Sequence, residues 1–345
     1  AIGISAGIAL TSGNKNTAIG YDALGDMTVG TNNIALGYES MNALQGSDGG
    51  FGNYNIAIGT DAMGSVEGYH TGTEIDGNIA IGANALLGGD LLNNNIDFMN
   101  NIAIGRNALD GTGNAVAQVG TVAIGFNAGT AINHSDAQGS VLIGYETGKA
   151  ITAAQRITAV GYQALTTEDD GDYHTAFGYQ ALSQCNAPNG HNVALGQRAG
   201  YSIVAGSSNT LIGSAADASS ASGVNQTVIG QGTTGVADNS VTLGNASVTA
   251  VYAASDSGAT IHAAGPKYAD SGKKYYKEVG SKSLTAGSTT DFMVTGHSHN
   301  YIIQVWCDSG SDGIVSTWSL QAVYGSSNQT VLHEKQYGGS GTNDI

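Results

Sequence analysis

Two histidines one residue apart, in Gly296-His297-Ser298-His299, are the side chains whose types and spacing point most directly to chemistry. Side chains alternate along a strand, so His297 and His299 share a face that continues as Tyr301, Ile303 and Val305. That apolar continuation makes the face an inward one. Three such strands around a three-fold axis would bring about six imidazoles to one octahedral transition-metal site. The acidic run Glu168-Asp169-Asp170-Gly171-Asp172 offers carboxylates to calcium, but it lacks EF-hand spacing and reads as a solvated loop. Gly49-Gly50-Phe51-Gly52 lacks the Asp of a calcium-binding nonapeptide and stands alone. Gly144 to Lys149 is too short for a phosphate-binding loop and has no Ser or Thr after the lysine. No recognisable nucleophile–base set emerges, so the chain reads as a non-enzyme with no obligatory cofactor.

The elements that would carry such residues follow from composition. Of 345 residues, 53 are glycine, 2 are proline and 11% are charged. Glycine does not fall at every third position, which excludes collagen. The 41% hydrophobic content excludes simple disorder. Short buried strands joined by regular turns account for all of these values. A formal charge of −16 argues against a nucleic-acid partner or an anionic membrane surface. No apolar run approaches the roughly 18 residues of a spanning helix. Cys185 and Cys307 form no disulfide framework and suggest synthesis in a reducing cytoplasm. The chain opens within its own repeat, so its true N-terminus is expected to lie upstream.

That repeat is Ala-Ile-Gly or a close variant. Its glycine recurs at 3, 20, 37, 59, 82, 105, 125, 144, 161, 178, 196, 213, 230 and 244, which makes fourteen copies. The base period is 17, with spacings of up to 23 in the N-terminal half. Apolar residues precede each glycine (Ile19, Leu36, Ile104, Phe177), and β-branched residues stand three before it (Thr17, Ile34, Ile56, Ile102, Val193). These two positions share a strand face and are read as the core of each coil. The residue between them points the other way, and in ten copies it is alanine. A row of small residues where a free surface would carry Thr, Lys or Glu suggests close packing by another subunit. Ala18, Ala35, Ala57, Ala80, Ala103, Ala123, Ala159, Ala176 and Ala194 are accordingly assigned to a subunit interface. Asn precedes many strands (Asn16, Asn33, Asn55, Asn78, Asn101, Asn192, Asn209), where its amide can bond backbone or form a ladder. Each unit reads as two short strands and two turns, stacking at about 4.8 Å into a rod roughly 65 Å long. An α-solenoid is excluded by the period and by the glycine content.

Written out, NTAIGYDAL, NIALGYESM, NIAIGTDAM, NIAIGRNAL, ITAVGYQAL and HTAFGYQAL resemble the head repeats of trimeric autotransporter adhesins. They are still more similar to the NTAIGYQAL arrays of bacteriophage tail fibres, and DNSVTLGNASVTAVYA at 238–253 is similar to the segment closing such arrays. The resemblance covers about the first three quarters of the chain. It implies a homotrimer of parallel β-rolls serving attachment, located on the virion tail. Its partners would be host surface glycans or proteins and other tail proteins. The His297/His299 pair is likewise similar to metal-binding motifs at the tips of T-even phage long tail fibres. The period is longer than in adhesin heads, and no heptad stalk or membrane-anchor barrel follows, which favours the phage fibre over a bacterial surface adhesin.

The expected fold is therefore all-β: a trimeric parallel β-roll or β-solenoid of about 14 coils over residues 1–248, a neck at 249–272, and a small antiparallel β domain at 273–345 placed as a distal tip. Strand candidates in the last segment are DFMV, YIIQVW, IVSTWSLQAVYG and QTVLHEK. The competing class is a tailspike-like glycan depolymerase, using paired carboxylates from Glu67, Glu74, Asp76, Asp90 or Asp97 or from the acidic run. The short coils leave it little room for a substrate groove.

Overall fold

The residues before every repeat glycine from Gly20 onward form a strand, as in Thr17–Ile19, Ile34–Leu36, Thr158–Val160 and Thr175–Phe177, ending with Ser240–Leu243, while Ile2 before Gly3 makes an isolated bridge. β-Branched side chains favour the extended backbone, and the glycine ends it. Each strand pairs in parallel with the equivalent strand one turn on. Thr17 lies beside Ile34, Ala18 beside Ala35 and Ile19 beside Leu36. Thirteen such strands form one continuous parallel sheet, about 58 Å long at the usual strand spacing. The fold is thus an all-β parallel solenoid, without an α-helix among the described residues. The computed structural model describes residues 1–44, 51–66, 74–88, 97–111, 117–134 and 137–251, together with the strand backbone at 301–308, 315–325, 328–331 and 336–337.

After the glycine the chain turns by entering the left-handed region twice, as at Gln163 (φ 51°) and Leu165 (φ 52°), and again at Gln180 (52°) and Leu182 (50°). Non-glycine residues adopt this conformation at a cost, which the next coil offsets through hydrogen bonds such as Leu165 N–H to the Ala181 carbonyl at 3.0 Å. The repeat glycine itself is more constrained. Gly161 sits at φ 138°, and a Cβ there would lie 2.2 Å from the carbonyl oxygen of Gly178. Both backbone angle and space demand glycine.

The interior reverses the face expected for the alanines. Ala18, Ala35, Ala57, Ala80, Ala103, Ala123, Ala159, Ala176 and Ala194 all point into the coil, and all but Ala18 are fully buried. The flanking residues point outward: Ile34 is 40% exposed, Phe177 53% and Leu195 46%. A coil of this length has a narrow cross-section, and its turns already fill it with Leu24, Met41, Met63, Leu86, Leu109, Leu165 and Leu182. A methyl group is what remains for the strand to contribute. Where the strand carries Leu142 instead, glycine replaces the turn leucine on both sides. A Cβ on Gly129 or Gly148 would come within 2.9 Å of the Leu142 side chain. Volume is conserved by exchange across the coil.

Beside the alanines runs a buried amide ladder. Asn55 Oδ1 accepts from the Asn78 backbone N–H and side-chain Nδ2, both at 3.0 Å, while Asn78 Nδ2 also donates to the Phe98 carbonyl at 2.7 Å. Asn101 repeats this on Asn78, and Asn209 repeats it on Asn192. The second strand expected in each coil exists only in part. The enlarged coils pair Phe51–Asn53 with Glu74–Asp76, and Phe98–Met99 with Gln118–Val119. Coils of the base period make isolated bridges such as Ser207 to Val224, because two turns use most of their residues.

The chain divides into two compact units, Ala1–Ile261 and His262–Ile345. In the second, Tyr301–Asp308 and Asn328–Val331 pair antiparallel with Val315–Gly325, as does Gln336–Tyr337. Most of the expected neck at 249–272, and both His297 and His299, lie outside the described residues. Replacing Gly161 by alanine is expected to lower unfolding free energy by about 3 kcal/mol through strain and clash, measured by denaturant unfolding, whereas alanine at exposed Asp170 changes it little.

Candidate functional site

Outward-facing residues of the strands build a long apolar stripe. Ile19, Ile34 and Leu36 towards one end and Phe177, Val193, Leu195, Ile229 and Leu243 towards the other are exposed. The strands between them carry partly buried residues such as Ile58, Ile81, Ile104 and Ile143, and parallel in-register pairing lines all of them up. One position beyond the glycine, aromatic rings stack along the same direction. Phe126, Tyr145, Tyr162 and Tyr179 are spaced by 5.2, 5.1 and 5.2 Å, with interplanar angles of 6–19°. Arg106 covers the free face of Phe126 at 4.6 Å. The next position forms a polar rail, in which Gln180 donates to Gln163 at 3.1 Å and Gln163 donates to Glu146 at 3.0 Å. The hydrogen bond from Gln163, with a second from Lys149 Nζ at 3.0 Å, holds the Glu146 carboxyl below its ordinary pKa. The rings present edges to solvent, since their faces are used on one another.

Three of the carboxylates considered for a glycan-cleaving site accept hydrogen bonds from an adjacent coil. Asp76 Oδ1 accepts from the Asn53 amide at 2.7 Å, and Asp172 Oδ1 accepts from the Gln155 amide at 2.8 Å. Asp169 accepts from the Thr152 hydroxyl. Glu67 and Asp90 lie outside the described residues. Among the described residues no helix is long and apolar enough to cross a membrane.

The acidic run is solvated at Asp169 and Asp170, as its composition suggests, but Glu168 is fully buried. Its Oε1 accepts from the amides of Gly171 (2.8 Å) and Asp169 (3.2 Å), and its Oε2 from that of Ala187 (3.1 Å). His174 and Cys185 are buried beside it, and one ligand atom from each of the three lies within 4.8 Å of the others. His174 Nε2 stands 3.1 Å from Glu168 Oε2 but is not aligned for a hydrogen bond. Burial pushes the Glu168 carboxyl up. The His174 ring and the amides of Ala187 and Gly171 outweigh it, and the carboxyl stays below its ordinary value. Burial first, and then the Glu168 charge, push the Cys185 thiol far up, so it is a neutral thiol and not a nucleophile.

No spacing motif connects residues 168, 174 and 185, which hides the cluster from motif reading. Its trace in the sequence is positional. Seven residues after the glycine, other coils bury Met27, Leu44, Val66, Ile132, Ile151 or Ile203, whereas two consecutive coils place Glu168 and Cys185 there. His174 occupies the position of the asparagine ladder.

No protein-family model, curated protein or solved structure matches the chain. Glu168→Gln leaves one acceptor oxygen for three backbone donors. It is expected to lower stability by about 2 kcal/mol, read by urea unfolding in the presence of a chelator.

Proposed function

We propose that the chain is the shaft of a non-enzymatic attachment fibre that assembles as a homotrimer and carries its C-terminal unit as a receptor-binding tip. The observation that carries this reading is the exposed apolar stripe along the thirteen-stranded sheet. A regular surface of this length, with a side chain every strand spacing, fits best against a surface of the same pitch. Another copy of the solenoid supplies one. The alanines do not form this interface, as they are buried in their own coil. The contact belongs to their neighbours Ile34, Leu36, Phe177 and Leu195. Three copies, and a place on a phage tail, are supported by the likeness of NTAIGYDAL and HTAFGYQAL to tail-fibre arrays. The tip would meet a glycan or protein of the host surface.

Light scattering on the purified chain is expected to give three times 34.7 kDa. A monomer overturns the assembly and would redirect attention to glycan cleavage. Phe177→Glu tests the interface itself: it is expected to leave the β-spectrum intact while dissociating the assembly. Ala176→Glu puts an unpaired charge inside the coil and is expected to abolish folding.

A further inference from the structure

The Glu168–His174–Cys185 cluster departs from its own repeat in three places at one level of the coil. Two aliphatic core positions have become a carboxylate and a thiol, and the amide-ladder position has become an imidazole. In a core this narrow, each exchange by itself removes apolar packing and buries a polar group. Together they make a donor set of oxygen, nitrogen and sulfur that is sealed from solvent. His174 Nε2 is aimed into this set and lacks an aligned hydrogen bond there. Asn192 Nδ2 approaches Nδ1, the other ring nitrogen, at 3.5 Å, and lies 3.9 Å from Cys185 Sγ.

We propose that Glu168, His174 and Cys185 bind one zinc ion inside each solenoid, tying together successive coils where the asparagine ladder is interrupted. Two ligands of a tetrahedral zinc ion stand about 3.4 Å apart. Glu168 Oε2 and His174 Nε2 are already 3.1 Å apart, and one ligand atom from each of Glu168, His174 and Cys185 lies within 4.8 Å of the others. Small side-chain rotations therefore close the shell. A carboxylate, an imidazole and a thiolate suit zinc, whereas calcium and magnesium take oxygen ligands. On binding, the Cys185 thiol gives up its proton to solvent and its sulfur lone pair to the metal. The complex of Zn²⁺ with one thiolate, one carboxylate and a neutral imidazole has no net charge, which suits a buried site. His174 ligates through Nε2 with its proton on Nδ1, so Nδ1 no longer accepts from Asn192; Asn192 Nδ2 keeps one hydrogen on the Gly206 carbonyl and turns the other to the sulfur. Three protein ligands leave the fourth position to a water enclosed with the ion.

Because the site is closed, the ion must enter during folding. The full chain is refolded with zinc, dialysed exhaustively against chelator, and assayed by elemental mass spectrometry. One zinc per chain is expected, with a loss of at least tenfold in occupancy in Cys185→Ala and in His174→Ala. Refolding with cobalt is expected to give a thiolate-to-metal charge-transfer band. That band should persist in Cys307→Ser and in His297→Ala/His299→Ala, and vanish in Cys185→Ala. Absence of retained metal and of the band in the native chain overturns the proposal, whether or not the variants fold. A metal retained equally by Cys185→Ala overturns it too.

Discussion

Neighbouring coils approach so closely at the repeat glycine that backbone meets backbone. The Gly161 N–H donates to the Ile143 carbonyl at 2.7 Å, and the Gly178 N–H to the Val160 carbonyl at 2.8 Å. The space that a Cβ would occupy on each glycine is filled by the next glycine's carbonyl. This contact recurs in coil after coil and sets the pitch of everything else. Strands are parallel and in register because their C-terminal ends are tied at that point. Rings at the following position stack near 5 Å for the same reason, and amides one position further on can reach from coil to coil.

A second constraint is cross-section. A coil of 17 residues encloses little more than a single file of side chains, so each added volume on one wall is removed from the opposite one. Leu142 between Gly129 and Gly148 is one instance, and Leu211 near Gly200 is another, with a Cβ on that glycine 2.9 Å from the leucine. This economy places methyl groups on the inner side of the strand and leaves larger aliphatic residues outside. The apolar stripe is thus a consequence of how the interior is filled, and it makes the free coil a surface suited to assembly.

The buried asparagines enter this interior through hydrogen bonds that repeat with the coil. Asn33, Asn55, Asn78 and Asn101 satisfy one another and adjacent carbonyls, so their burial is compatible with a continuous core. The stretch from Ser140 to His174 breaks that pattern, and there the buried carboxylate of Glu168 takes its hydrogen bonds from three backbone amides. Charge is held at this level by local backbone geometry rather than by the ladder, which gives the level a chemistry the remaining described coils lack.

Much of the fold is legible in the residues. The period follows from the glycines, the strand from Ile-Ala-Ile and its variants, and the parallel register from identity of successive units. The amide ladder follows from Asn recurring before the strand. Alternation along a strand defines two faces without saying which is interior, and the larger apolar pair at Thr17/Ile19 or Ile34/Leu36 was the natural choice for a core. The intramolecular exchange of Leu142 for flanking glycines carries the opposite answer, but it is readable only once residues from adjacent coils are known to face each other. The cluster was hidden for the same reason: Glu168, His174 and Cys185 follow no local spacing and meet only when successive turns are stacked. By itself the sequence determined a repetitive β-solenoid, because backbone stacking depends on glycine and β-branched residues at fixed intervals. Which face closes inward, and which distant side chains meet there, was decided by the tertiary structure, because both depend on the volume that a closed coil leaves inside.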